Sequence, residues 1–353
     1  VGLMRLFMPM VFLVAAGTLA VAVGTIWLGY VFHQFEEFPS ESEVACTPVV
    51  GITGASDVAA IPNRNIAFLS VYDQRGKSER GELIRFDLDN PLDDTSWQDR
   101  TGGRPRAFEP GGIDLWEERL PSGLLSHRLF VVNRAGPEVL VFDVDEATGD
   151  LSLAERFSDP RLVSPNDVIA TGPSSFYVTN DTASGRQSVR GKADFLLGLP
   201  TGQIFHYDGN SWSVEADGLR FPNGIALSPD GSDLFVAEMR AEAIRKYARD
   251  PATDQLEPTS RIALRSFPNN LSVDESGRLL IGAVPQPFAY KAFTESLRDS
   301  APSQVLRVDG DQVETIYQNT GRDLSAATVA SRVGNRTLIG TAADDKFLMC
   351  RAS

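Results

Sequence analysis

The chain has 353 residues, a formal net charge of −14, 42% hydrophobic and 23% charged residues. These are globular proportions, with enough length for one large domain or two ordinary ones. The charge argues against a nucleic-acid role, because no basic stripe is present to neutralise phosphates.

The chain opens on an apolar stretch. From Leu6 to Phe32, "LFMPMVFLVAAGTLAVAVGTIWLGYVF" runs about 27 residues without a charge. As a helix that is enough to span about 30 Å of hydrocarbon. A cleavable signal peptide has a shorter apolar core, about 7–15 residues. Ala20-Val21-Ala22 mimics a cleavage site, but apolar sequence continues beyond it, so the stretch reads as an uncleaved signal-anchor. Arg5 precedes it, and Glu36, Glu37, Glu41 and Glu43 follow it. The positive-inside rule then puts the body of the protein on the extracytoplasmic side, whether periplasmic, lumenal or extracellular.

Two cysteines flank the rest of the chain, Cys46 and Cys350. They are either buried thiols or, in an oxidising compartment, a bridge tying the ends together; spacing alone does not decide. Asn180-Asp181-Thr182 and Asn335-Arg336-Thr337 are glycosylation sequons, meaningful only in a host that glycosylates.

Between the cysteines a pattern recurs. "SDVAAIPNRNIAFLS" from Ser56, "GGIDLWEERLPSGLLSHRLFVVN" from Gly111, "NDVIATGPSSFYVTN" from Asn166, "NGIALSPDGSDLFVAE" from Asn223, "NNLSVDESGRLLIGA" from Asn269 and "ATVASRVGNRTLIGT" from Ala327 share one layout. Each has a small or polar pair, an apolar strand, a turn and a second apolar strand. Their starts lie roughly 45–60 residues apart, the range of propeller blades. Further strand candidates such as "ELIRFDL", "EVLVFDV" and "QVLRVDG" fill the intervals. Six repeats of about four strands predict an all-β, six-bladed propeller. The expected organisation is a transmembrane helix in 1–35, a linker in 36–45 and one propeller domain in 46–353.

In such a fold the first residue of each repeated strand lies at one mouth of the central channel. The residues read at this phase are Asp57, Gly112, Asn166, Asn223, Asn270 and Thr328, with Asn269 and Asp167 adjacent. A ring of amide and carboxylate oxygens suits a hard cation such as calcium, whereas zinc would call for His or Cys. The histidines, His33, His127 and His206, lie away from this phase. A single Asn at a strand entry is ordinarily a turn residue; the recurrence is what points to a metal.

At these residues the sequence resembles the paraoxonase/arylesterase family of calcium-dependent propellers. The resemblance covers nearly everything after the apolar stretch and is best at "PNDVIATGPSSFYVTND", "FPNGIALSPDGSDLFVAE", "NNLSVD" and "TVASRVGNRTLIGT". It implies a six-bladed propeller closed by a bridge between the terminal cysteines. It also implies hydrolysis of lactones or aryl esters, small-molecule substrates whose carbonyl a central calcium polarises. The family's catalytic calcium is held by a Glu, three Asn and an Asp. Asn166, Asn223 and Asn270 match three of these, and Asn269 stands at the Asp. An ungapped register places Asp57 at the Glu; a slip of one residue places Ser56 there and Asp57 at an Asp of the family's structural calcium site. In the ungapped register the two Asp positions of that structural site are Val58 and Asp167, which leaves it half dismantled.

The family's two catalytic histidines correspond to Gly111, in "FEPGGID", and Arg134, after "VVN". An amide cannot act as a base, so Asp57 and Asp167 remain as the candidate bases. Arg134 is a candidate for pairing with a substrate carboxylate. Two stretches break the repeat, residues 181–202 and 285–303, and the first reads as a cover over the site. Two functions stand: a membrane-anchored calcium-dependent lactonase or arylesterase, or a propeller without hydrolysis that serves as a binding subunit of a membrane assembly.

Overall fold

A computed structural model describes residues 2–61, 64–76, 80–91 and 97–352; the side chains of residues 2–13, Arg5 included, and of 352 lie outside the described set. Among the described residues six sheets of four or five strands make up the body, antiparallel except where Thr101–Gly102 runs parallel to Leu151–Phe157. The innermost strands are Ala55–Ile61, Pro110–Arg119, Pro165–Gly172, Pro222–Leu227, Phe267–Val273 and Ala327–Val333 in blades 1 to 6. Each packs against the inner strands of its two neighbours, and the sixth against the first, so the ring closes as a six-bladed propeller.

The near-continuous apolar runs follow from this architecture. A blade is covered on both faces, so both sides of its middle strands are buried. In blade 1, Phe68 points into the layer shared with Leu129, Leu140 and Phe142 of blade 2. Its neighbour Leu69 points the other way, against Val333, Leu338 and Phe347 of blade 6.

Blade 6 is completed by the beginning of the chain. Val44–Val50 forms its outermost strand, pairing antiparallel with Lys346–Ala352 from Val44↔Ala352 to Val50↔Lys346. Cys46 and Cys350 are directly opposed and joined as a disulfide. Of the two sequons, Asn180 is fully buried and accepts from the Ser164 N–H at 2.7 Å, which rules it out as a glycan acceptor; Asn335 is exposed.

Among the described residues three α-helices lie outside the blades. The N-terminal helix α1, Gly2–Val31, contains an 18-residue apolar window, Val14–Val31, of which only 6% is buried. The stretches that break the repeat fold into α2, Val189–Leu197, and α3, Pro287–Thr294. Ser188 caps α2, accepting from the Gly191 N–H, and Gly198 ends it in the left-handed conformation.

Candidate functional site

The inner strands share one local irregularity. In all six, the ladder to the second strand shifts at the strand entry: in blades 2 to 5 the two residues ahead of Ile113, Val168, Ile225 and Leu271 are unpaired, in blade 1 Ser56 is skipped while Asp57 pairs with Ser70, and in blade 6 Thr328 is skipped. Such a bulge re-aims consecutive side chains. Counting back from Val58, Ile113, Val168, Ile225, Leu271 and Val329 sorts the channel residues into two tiers. Two residues back stand Ser56, Gly111, Asn166, Asn223, Asn269 and Ala327; one residue back stand Asp57, Gly112, Asp167, Gly224, Asn270 and Thr328. The phase read from the sequence alone had grouped Asp57 and Asn270 with Asn166 and Asn223. The register moves Asp57 and Asn270 to the tier of Asp167.

The deeper tier is tied together across blade boundaries. Asp57 Oδ2 accepts from the Ile113 N–H at 2.7 Å and Asp167 Oδ2 from the Ile225 N–H at 2.9 Å. Asn270 Nδ2 and Thr328 Oγ1 both donate to the Ser56 carbonyl, at 3.2 and 2.9 Å. Gly112 makes room for this arrangement: a Cβ there would stand 1.9 Å from Asp167 Oδ1. Asp114, farther along the channel, accepts from the Ala170 N–H at 2.8 Å. The three carboxylates line a cavity of about 280 Å³ that also contains Ser272, Ser331 and Arg332.

Burial raises all three carboxyl groups above the usual range: Asp57 to about 7, helped by the charge of Asp114, Asp114 itself to about 6, and Asp167 well up, with the Asp57 charge as its second cause. Two amide oxygens, Asn223 Oδ1 of the upper tier and Asn270 Oδ1 of the deeper one, are buried without a hydrogen-bond partner among the described residues.

The upper tier faces the mouth. Asn166 Nδ2 donates to Asp181 Oδ1 at 2.7 Å, and its Oδ1 accepts from Arg134 Nη2 at 2.9 Å. Asp181, buried, also holds the Arg186 guanidinium. Asn223 Nδ2 points to Met239 Sδ at 3.8 Å. Met239 belongs to an apolar cluster formed with Phe32, Phe267, Phe195 of α2, and Phe288 and Tyr290 of α3. The helices therefore roof the mouth, as the reading of residues 181–202 as a cover anticipated. Phe32, just past the end of α1, is fully buried there. Its ring lies 4.4 Å from that of Phe288, and the Arg240 guanidinium sits 4.3 Å from its centroid.

The histidines stay out of the channel. His127 is held between Glu146 and Glu117, His206 stacks on Tyr177, and His33 pairs with Glu242. The sequence reading passed over Asp181; its position directly after Asn180, at the end of a second strand beside the channel mouth, was the available signal.

Residues 42–351 match the sequence profile of the family described as Arylesterase. The chain belongs to the arylesterase family. It is 29% identical to serum paraoxonase/arylesterase 1 of Mus musculus, over 88% of this chain and 89% of that protein. It is 31% identical to serum paraoxonase/arylesterase 2 of Homo sapiens, over 84% and 86% respectively. Among solved structures, a luciferin-regenerating enzyme superposes with a TM-score of 0.57 at 10% identity, covering 88% of this chain and 95% of that one, a likeness that speaks to the fold alone. Arg134 folds over Gly111, where a Cβ would meet Arg134 Nε at 2.8 Å and the Asn166 carbonyl at 2.9 Å.

Proposed function

We propose that this chain hydrolyses carboxylic esters or lactones with the help of a calcium-class cation, and that α1 anchors it so that the propeller faces an extracytoplasmic compartment. The observation that carries the reading is the pair of buried, partnerless amide oxygens, Asn223 Oδ1 and Asn270 Oδ1, beside the buried carboxylates of Asp57 and Asp167. Orphaned buried acceptors are costly, and two neighbouring carboxylates raise each other's proton affinity. A hard cation relieves both penalties, and an all-oxygen donor set is what calcium takes. Among the described residues no three His, Cys, Asp or Glu side chains converge as a metal cage, so amide oxygens would supply much of the coordination. Asn270, Asp57 and Asp167 of the deeper tier and Asn223 of the upper tier would hold the ion, with Asn269 and Asn166 beside Asn223. The ion supplies polarisation of the carbonyl and stabilisation of the oxyanion.

The chain's own residues do the rest. The water oxygen bonds to the carbonyl carbon while its proton passes to a channel carboxylate, Asp57 or Asp167. The acyl C–O bond then breaks, and the departing alkoxide takes that proton back, leaving an alcohol and a carboxylic acid. The helical roof over Asn223 limits access of bulk water. Anchoring is supported by the exposed apolar flank of α1, and an oxidising compartment by the Cys46–Cys350 disulfide.

A second reading, a binding propeller without hydrolysis, is favoured by one observation: Gly111 and Arg134 stand where the resemblance calls for catalytic histidines. One experiment separates the two. Calcium binding to the full chain in nanodiscs is measured by titration calorimetry, with aryl-ester and lactone turnover assayed on the same samples. Binding that is lost in Asn223→Ala, together with turnover abolished by chelator, is the expected result. Binding without turnover moves the assignment to the accessory subunit, and no binding at millimolar calcium removes the cation from the proposal.

A further inference from the structure

The mouth holds a second feature that ester hydrolysis alone does not call for. Arg134 lies immediately after the strand Leu125–Asn133. Its backbone N–H donates to the Glu109 carbonyl at 2.9 Å, and the glycine at 111 lets its side chain turn back over the upper tier. There its only side-chain hydrogen bond among the described residues is the one from Nη2 to the neutral Asn166 amide, and its Nε is enclosed without a partner.

An enclosed Nε without a partner also occurs at Arg85, Arg100 and Arg336 among the described residues, but several arginines are held by a carboxylate fork. Arg156 forks onto Glu138, Arg278 onto Asp274, and Arg249 onto Asp254. At the mouth, the one carboxylate in direct contact, Asp181, is taken by Arg186 and the Asn166 amide. Glu109, half-buried, and the Tyr290 hydroxyl face both guanidinium groups at longer range. Burial, and the Arg186 charge beside it, hold Arg134 below the usual arginine range. Two guanidinium groups thus stand side by side over the channel, one neutralised by direct contact and the other not.

We propose that Arg134, supported by Arg186, binds a carboxylate of the substrate, and that the substrates are esters or lactones carrying an anionic carboxylate a few bonds from the reacting carbonyl. The inference rests on the hydrolase reading for the reaction, but not for the binding site. Its geometric basis is proximity: Arg134 contacts Asn166, a member of the upper tier, so an anion on its remaining N–H groups lies next to the channel where the carbonyl would be held. A guanidinium fork matches a carboxylate with two parallel hydrogen bonds, which an ammonium cannot reproduce. A site that leaves such donors unpaired discriminates against analogues lacking the anion.

The test compares 5-oxotetrahydrofuran-2-carboxylate with γ-valerolactone, in which a methyl replaces the carboxylate, using the full chain in nanodiscs. Wild type is expected to favour the carboxylated lactone in kcat/KM by about tenfold or more. Arg134→Gln should bring that ratio to about one or below, chiefly through KM, and Arg134→Lys should restore only part of it. Glutarate, which cannot be hydrolysed, is titrated in parallel by calorimetry; binding that disappears in Arg134→Gln supports the site whether or not turnover is seen. Arg186→Gln serves as the second variant if Arg134→Gln does not fold, and should lower the ratio in the same direction. A wild-type ratio near one, a ratio unchanged by Arg134→Gln, or no glutarate binding at millimolar concentration would each overturn the proposal. Arg134-dependent glutarate binding with neither lactone hydrolysed would retain the carboxylate site and remove the hydrolase reading.

Discussion

Removing the bond between Cys46 and Cys350 isolates what covalent closure contributes to a propeller whose ring is also closed by strand pairing. The bridge spans a sequence separation of 304 residues, nearly the whole blade region. The chain-entropy relation for a loop of that length gives about 19 cal/mol/K, or about 6 kcal/mol at 25 °C, as the ceiling of the effect; native bridges of this kind deliver about 2–5 kcal/mol. In Cys46→Ala/Cys350→Ala the native state keeps its seven-residue pairing of Val44–Val50 with Lys346–Ala352, so the loss falls on the unfolded ensemble. Guanidinium unfolding of the detergent-solubilised protein, followed by tryptophan fluorescence, should show a lower midpoint. The slope should be steeper, because the uncrosslinked unfolded chain exposes more surface. Hydrogen exchange in Lys346–Ala352 under native conditions should be unchanged. An unaltered midpoint would refute the argument. So would rapid exchange confined to blade 6, which would mean that the bridge holds the folded edge and not the unfolded chain.

Gly112→Ala places a Cβ 1.9 Å from Asp167 Oδ1 and 2.5 Å from its Cα; calorimetry should show calcium binding lost, with an overpacking cost of about 1–3 kcal/mol in thermal unfolding. Phe32→Ala empties the cluster over Asn223 and should cost about 3–5 kcal/mol, with faster hydrogen exchange in α2 and α3; unchanged exchange would mean that α1 is only a tether. His33 has its pKa raised above the ordinary 6.5, first by its hydrogen bond to Glu242. Its contribution to docking the end of α1 is therefore complete below that ordinary value and is lost as pH rises through the raised one. Protection around residues 28–36, corrected for intrinsic exchange, should fall as pH rises through the raised His33 pKa in wild type and lose this dependence in His33→Gln.

The blade count was legible because every blade is buried on both faces, which writes two apolar strands and a turn into each repeat. The closing disulfide was implied by resemblance and left open by spacing, since two distant cysteines carry no register of their own. The phase of the channel residues was harder to read. "SD" at 56–57, "ND" at 166–167 and "NN" at 269–270 all offer a polar residue at either position; the bulge at the strand entry leaves both residues of the second and third pairs outside the ladder, and only Asp57 of the first keeps a partner, Ser70. The signal lay one step downstream: counting back from Val58, Val168 and Leu271 yields the two tiers. The docking of Phe32 was hidden for a different reason. In sequence it reads as the last residue of an apolar span, and only the fold brings Phe267 and Phe288 to it.

Gly111 and Arg134 fit together: the side chain of the arginine occupies the space that any side chain at 111 would need. Nε and Cζ of Arg134 stand 2.8 and 3.0 Å from where a Cβ on residue 111 would be. Gly111→His alone must therefore expel the guanidinium from Asn166 and should destabilise by about 1–3 kcal/mol. Arg134→His alone leaves a void over the upper tier and takes away the partner of Asn166 Oδ1. The double variant removes both faults, so a thermal-unfolding double-mutant cycle should show a favourable coupling of about 0.5–3 kcal/mol. Additive losses would mean that the two positions are independent. In the coupled case the double variant should also lose the preference for carboxylated over neutral lactones, since the space over the amide ring would be occupied by imidazole and not by a guanidinium.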